Sequence, residues 1–318
     1  MKTIIDPISP EKILDELTAE TFVRKTNNGG NEIYIVNAHN APETMKEIGR
    51  LREISFRDSG GGTGLDCDID EYDTYKDNYF EQLIVWNPDD KAIVGGYRFL
   101  FCDKLASLTN DEITTPTAEL FDYSNTFINN YLAQVIELGR SFVQPNYQPS
   151  KNRAKGIYSL DNLWDGLGSL IHRYPTARYY FGKVTMYPHM NREARDMILY
   201  FVNKYFPDKE KLVTPKPALN LPITTDEEML KSLFSSDNYR DDYMTLNKNV
   251  RERNNAIPPL VNAYMGLSSS MRNFGTALNK HFGEVEETGI LIDIQDIYPE
   301  KRERHMVYDR NQKPCHLK

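Results

Sequence analysis

Arg98 lies in Gly95-Gly96-Tyr97-Arg98-Phe99-Leu100, and Glu137 and Arg140 lie in Ile136-Glu137-Leu138-Gly139-Arg140-Ser141-Phe142-Val143. Each interrupts a strand-like apolar run, where a charge must be paired or must face a cleft. Arg52 lies on a helical run, and Asp70 and Asp73 frame Glu71-Tyr72. Charged groups in apolar surroundings are the raw material for proton transfer and for binding charged substrates. A purely structural ion-pair cluster would use the same residues, and spacing alone leaves both readings open.

On a regular strand, residues three apart point to opposite faces, so Glu137 and Arg140 would not meet. A bulge at Gly139, which has no Cβ, would bring both to one side and splay the strand from its neighbour. Splayed strands expose backbone groups able to bind an extended, amide-bearing ligand.

The elements that would hold these groups are legible from periodicity. Residues 10–19 read as a short amphipathic helix, Glu32–Val36 as a strand, and the stretch after Pro42 as a helix with Met45, Ile48, Leu51 and Ile54 on one face. It ends at Ser59-Gly60-Gly61-Gly62-Thr63-Gly64, which reads as a mobile loop. Phe80–Trp86 and Ala92–Phe101 flank Asn87-Pro88-Asp89-Asp90-Lys91, a hairpin signal. Residues 133–143 read as a strand, 157–173 as a helix with Leu163, Trp164, Leu167 and Leu170 inward, 179–187 as a strand and 191–205 as a helix. This is an α/β order. From about 207, prolines and the polar stretch 236–255 suggest excursions instead of a second compact core. A soft boundary therefore falls between a core at 1–206 and an extension at 207–318, with 268–282 helical and a last strand at 289–294 that rejoins the main sheet.

The 318 residues carry 38 Lys+Arg against 46 Asp+Glu, a net charge of −8, with 40% hydrophobic residues. That is the mix of a soluble globular chain, and its acidity argues against a general nucleic-acid binder. No apolar run is long enough to span a bilayer, and Asp6 and Pro7 interrupt any leader-like segment, so a cytoplasmic setting is expected. Cys67, Cys102 and Cys315 are odd in number and far apart, which excludes a disulfide framework or a cysteine zinc site. Ser59–Gly64 lacks the Lys-Ser/Thr of a phosphate loop and the spacing of a dinucleotide loop. Asp66, Asp68 and Asp70 alternate as in a calcium loop, but Glu71 and Asp77 fill the positions that need Gly and Glu. No metal is expected. Cys315-His316 falls in the tail, where disorder is the expectation.

The ordered set Leu51-Arg52-Glu53-Ile54-Ser55-Phe56, Asp70-Glu71-Tyr72-Asp73, Val94–Leu100 and Glu137-Leu138-Gly139-Arg140-Ser141-Phe142-Val143 resembles the hemolysin-like branch of the GNAT acyltransferases. That branch includes the N-acyltransferases that begin ornithine-lipid and glycine-lipid synthesis and is related to the acyl-homoserine-lactone synthases. Leu163-Trp164-Asp165-Gly166, Tyr180–Val184 and Pro258–Tyr264 extend the likeness over roughly 45–295. It implies a GNAT-like acyl-CoA N-acyltransferase fold, a mixed central sheet splayed at the fourth strand, with a C-terminal elaboration.

The resemblance further implies transfer of a (3-hydroxy)fatty acyl group from an acyl carrier protein thioester to an amino-acid amine, glycine or ornithine. Acyl carrier protein is then the partner and acyl-ACP (or acyl-CoA) a donor substrate, with no permanently bound cofactor. Arg52, Asp70, Asp73, Arg98, Glu137 and Arg140 match the charged positions of the homoserine-lactone-synthase relatives. On that basis Glu137 is the candidate base, Arg98 or Arg140 tunes it or binds the acceptor carboxylate, and Arg52, Asp70, Asp73 and Ser141 line the substrate site. Tyr187 and Tyr200 are both candidates for the acid. The usual pyrophosphate loop is not clean: Gln148–Gly156 is longer and keeps only the final glycine. Lys151, Arg153, Lys155 and Gly156 there suit a single phosphate and an acidic carrier, and a solvated charged loop is the plain alternative. Product lipids would draw the chain to the inner membrane face. Acetyl-CoA-dependent acetylation of a small amine or protein, and a non-catalytic carrier-binding role, are the rival functions.

Overall fold

A computed structural model describes residues 1–317. In chain order the strands are β1 (Phe22–Lys25), β2 (Glu32–Val36), β3 (Glu81–Asn87), β4 (Ala92–Phe101), β5 (Phe121–Tyr123), β6 (Val135–Val143), β7 (Tyr179–Met186), β8 (Val213–Pro215), β9 (Arg272–Asn279) and β10 (Val285–Asp293). The helices are α1 (Pro10–Glu16), α2 (Pro42–Asp58), α3 (Glu71–Thr74), α4 (Asn125–Asn130), α5 (Arg153–Gly156), α6 (Ser159–Arg173), α7 (Arg192–Tyr205), α8 (Glu227–Leu233), α9 (Tyr239–Glu252), α10 (Pro259–Met265) and α11 (Pro299–Met306). They form two compact units, one of residues 1–104, 134–178 and 298–317, the other of 105–133 and 179–297.

In the first unit β1, β2, β3, β4 and β6 pair in that order, every ladder antiparallel. Directly opposed residues share a face, so Gln82, Arg98 and Gly139 form one row and Leu100 and Glu137 the next on the same side. α2 buries Met45, Ile48, Leu51, Arg52 and Ser55, a stripe at helical spacing, and packs against β6. The Glu16 carboxylate caps its N-terminus, accepting from Glu43 N at 2.9 Å and Thr44 N at 2.7 Å, where a negative charge meets the helix dipole. The other face of β3 and β4 is covered by α6, whose Gly166 lies against Leu83. Trp164, expected inward, is half-buried.

Two segments expected to be loose are tied down. Glu53, fully buried, accepts from Thr63 N (3.0 Å), Thr63 Oγ1 (2.7 Å), Gly64 N (2.7 Å) and Arg57 Nε (2.7 Å), which holds the glycine-rich loop to α2. Burial opposes the Glu53 charge, but these donors outweigh it and hold the carboxyl below its ordinary range. In the tail, Cys315 N donates to Glu32 Oε1 at 2.6 Å and His316 Nε2 meets Leu17 O at 2.7 Å.

In the second unit β7, β10 and β9 form an antiparallel sheet, with Gly275 at φ +87° in a bulge of β9. Residues 268–282 were expected to be helical; instead β9 runs from Arg272 to Asn279. Leu267, Met271, Phe274 and Leu278 do recur every three or four residues, but pairing with β10 overrides local periodicity. The region after 207 does build a compact core, together with segments earlier in the chain. β7, placed before the expected 206/207 division, pairs along its whole length with β10.

Candidate active site

Three short sequence devices converge on the Gln82–Arg98–Gly139 row. Asp70 caps α3, accepting from Asp73 N at 3.2 Å, while Asp73 Oδ2 accepts from Asp70 N at 3.4 Å. This reciprocal box explains the Asp-x-x-Asp spacing and presents both carboxylates to the sheet. From α2, fully buried Arg52 donates through Nη1 to Asp73 Oδ2 (3.1 Å) and Asp68 O (3.3 Å), and through Nη2 to Gln82 Oε1. Gln82 Nε2 in turn donates to Asp73 Oδ1 at 2.8 Å. Arg98, buried on β4, donates to Asp70 Oδ2 at 2.6 Å and lies 3.5 Å from Asp73 Oδ2. Burial works against its charge, but Asp73, then Asp70 and Asp68, more than offset this, so Arg98 binds its proton more tightly than a free arginine.

The strand irregularity lies one residue beyond the expected one. Gly96 pairs with Phe142 and Arg98 with Gly139, so Arg140 and Ser141 together face the single residue Tyr97. Arg140, not Gly139, takes the left-handed conformation, at φ +48°. Gly139 lies under Arg98: a Cβ there would meet Arg98 Nε at 3.4 Å, an ordinary van der Waals contact. Arg140 Nε is held 2.9 Å from Asp68 Oδ2, and its Nη2 lies 3.9 Å from Asp70. The bulge therefore sends Arg140 to the same carboxylates as Arg98, on the side where Glu137 stands. Glu137 itself is 2% exposed, whereas residues 139–141 are half-buried.

A left-handed non-glycine residue costs about 1–2 kcal/mol. Arg140→Ala should accordingly be less stable than Arg140→Gly by about 1 kcal/mol, the reverse of the usual order within a strand. Urea unfolding of the two variants measures this, and the usual order would contradict the strained conformation.

Burial would raise the Asp70 carboxyl, but Arg98, Arg140 and Arg52 hold it below its ordinary 3.8. A carboxyl depressed on folding contributes stability that is fully present above its unfolded value and lost as pH falls through its folded value. Urea midpoints taken from about pH 5 to pH 2 should fall more steeply for the wild type than for Asp70→Asn. Parallel curves would show that Asp70 gives no such linkage.

The structure thus brings together Arg52, Asp70, Asp73, Arg98 and Arg140, with Glu137 in the adjoining row. It adds Asp68 and Gln82, which sequence reasoning missed. Asp68 was visible only as part of a failed calcium pattern, and Gln82 as one amide inside an apolar strand. Ser141 is half-buried in the bulge. The basic loop lies apart from this network: Lys151 pairs with Asp58 and Lys155 with Asp90, at 2.6 and 2.5 Å, while Arg153 is exposed. Gly156 packs where a Cβ would lie 2.5 Å from Pro149 N, so its role there is close approach of the backbone. Tyr187 stacks on His189 and Tyr200 on Phe234, both within the second unit.

Comparison with known proteins points to one family. Residues 51–155, which contain the whole Arg–Asp network and Glu137, match the acetyltransferase (GNAT) domain. A glycine N(alpha)-acyltransferase of Bacteroides thetaiotaomicron is 53% identical over 309 residues, covering 96% of this chain and 90% of that one. One from Phocaeicola vulgatus is 52% identical over 307 residues, covering 96% and 93%. The chain belongs to this family of GNAT acyltransferases, and it is an N-acyltransferase. The crystal structure of the AHL synthase LasI is a remote likeness, at TM-score 0.29 and 16% identity over 50% of this chain and 74% of that one, too distant to bear on the fold. No helix among the described residues is long and apolar enough to cross a membrane.

Proposed function

We propose that the protein moves a (3-hydroxy)fatty acyl group from the thioester of an acyl carrier protein to the amine of glycine, the opening step of an amino-acid lipid synthesis. Two relatives of matching length that carry the name glycine N(alpha)-acyltransferase support glycine over ornithine as acceptor. The observation that carries the chemistry is the buried Glu137 one row from Arg98, on a strand that bulges three residues further on, at Arg140.

An α-amine is mostly protonated at neutral pH, so attack on a thioester requires a base and a fixed approach. Glu137 takes the proton, directly or through water. The amine nitrogen then bonds to the thioester carbon, backbone N–H groups at Leu138–Arg140 stabilise the oxyanion, and the C–S bond breaks as the proton shed by the attacking nitrogen passes to sulfur, leaving the amide and the carrier thiol. The pairing of Arg98 Nη1 with Asp70 and Asp73 supports a role for Arg98 in holding the carboxylate network. The long loop ending at Gly156, with Lys151, Arg153 and Lys155, supports a donor bearing one phosphate on an acidic protein. The amphiphilic product would bring the enzyme to the inner membrane face.

The test is a matrix of donors and acceptors with purified protein: 3-hydroxyacyl carrier protein, the matching acyl-CoA and acetyl-CoA, each with glycine and ornithine, products read by mass spectrometry. N-acylglycine formed fastest from the carrier-linked donor is the expected result. Acetyl transfer as the main activity would overturn the reading, as would no product from any pair.

A further inference from the structure

Arg98 meets the carboxylates of the first unit with one nitrogen of its guanidinium and leaves an edge unanswered. Its hydrogen bond and ion pairs among the described residues all run through Nη1, 2.6 Å from Asp70 Oδ2 and 3.5 Å from Asp73 Oδ2. Nε is buried and has no hydrogen-bond partner among the described residues. Nε and Nη2 form the planar two-donor edge that matches a carboxylate oxygen for oxygen. The other two arginines of the network differ. Arg140 Nε is closed by Asp68 at 2.9 Å, and Arg52 commits Nη1 and Nη2 to Asp73 and Gln82. A buried donor without an acceptor is unfavourable, so an acceptor delivered to this edge of Arg98 is strongly stabilised.

The surroundings of that edge identify the acceptor. Nε lies beside Gly139, a position on β6 that carries no side chain to cover it, and Gly139, Arg140 and Ser141 are half-buried, so solvent reaches the strand there. Arg98 pairs across the ladder with Gly139, and Leu100 with Glu137. Glu137 is therefore the diagonal neighbour of Arg98 on the same face, about 7–8 Å away along the backbone, a separation that a small molecule can bridge with a hydrogen bond at each end. The charges it must carry are set as well. Arg52, Arg98 and Arg140 balance Asp68, Asp70 and Asp73, and Glu137 adds a further negative charge in the next row. We propose that Arg98 binds the carboxylate of the α-amino acid acceptor through Nε and Nη2, while the acceptor's ammonium meets Glu137. The inference rests on the amino-acid acceptor proposed above, and it makes a free carboxylate on the carbon that bears the amine a requirement of the substrate. Nη1 goes on holding Asp70 and Asp73.

Steady-state kinetics of the full chain test this, with glycine, glycinamide and methylamine as acceptors. The wild type should use glycine with a kcat/KM at least about tenfold above either amine, the discrimination expected of a charge-assisted two-point contact. Arg98→Lys keeps a positive charge beside Asp70 but has no planar edge. In that variant KM for glycine should rise at least about tenfold, KM for the acyl donor should hold, and the preference for glycine over glycinamide should vanish. Gly139→Ala gives an arm that keeps every charged group: its methyl, 3.4 Å from Nε, narrows the space for the acceptor carboxylate, and KM for glycine should rise with KM for the donor unchanged. Retention of the glycine preference in a folded Arg98→Lys would overturn the site while leaving glycine acylation in place. Where that variant fails to fold, an unchanged KM for glycine in Gly139→Ala would do the same. Equal use of glycine and glycinamide by the wild type would overturn it too. A wild type that acylates no amino acid would overturn the acceptor reading; calorimetric binding of glycine that Arg98→Lys or Gly139→Ala weakens would then keep the site, and no binding would end it.

Discussion

Glu137→Gln should lower kcat for acyl transfer by about 10²–10⁴-fold, the range expected for loss of a positioned general base. The substitution keeps size and shape, and it replaces a buried carboxylate by a neutral amide on the face that carries Arg98 and Leu100. The negative charge at this position is felt locally: burial, and after it the Glu137 carboxylate, push the Cys102 thiol well above its ordinary range. An unaltered near-ultraviolet circular dichroism spectrum would establish that the fold survives. Wild-type kcat in this variant would remove Glu137 as the base, and attention would pass to the carboxylates held by Arg98 and Arg140.

The second large effect concerns stability. Asp73→Ala should destabilise the first unit by about 3–5 kcal/mol, the cost of removing one partner from a buried ion pair. Asp73 is completely buried and serves Arg52, Arg98 and Gln82 together, so its loss leaves two guanidinium groups facing a cavity. Adding Arg52→Met to Asp73→Ala should recover part of the loss, because it removes one of the stranded charges, and the two changes should be strongly non-additive. Both tryptophans of the chain, Trp86 on β3 and Trp164 on α6, lie in the first unit, so their fluorescence reports its unfolding. A shift below about 1 kcal/mol would mean that water reaches the arginines and that the network contributes little to the fold.

The two effects separate the roles of neighbouring residues. Asp73 and Arg52 are expected to act through stability and Glu137 through rate. Arg140 stands between, strained in its backbone and paired through Asp68.

Local pattern was enough for α2, the β3–β4 hairpin, β6, α6 and α7, because burying an apolar stripe of period 3.6 or an apolar run bounded by turn residues imposes the element wherever it occurs. It was also enough to show that Arg52, Asp70, Asp73, Arg98, Glu137 and Arg140 were out of place among apolar neighbours, since the cost of an unpaired buried charge does not depend on the fold. Pairing partners were not readable. Asp68 joins Arg140 across 72 residues and Gln82 joins Arg52 across 30, and no local spacing encodes such distances. The glycine of Glu-Leu-Gly-Arg invited a bulge at residue 139, but the extra residue falls at Arg140, which is left-handed and paired with Asp68. Residues 272–279 fitted a helix until β10 supplied hydrogen-bond partners along their length. Sequence alone determined which residues had to be buried and which charges had to be answered. Only the tertiary structure decided what answered them, because desolvation is a property of a single side chain, whereas its compensation belongs to groups brought together from distant parts of the chain.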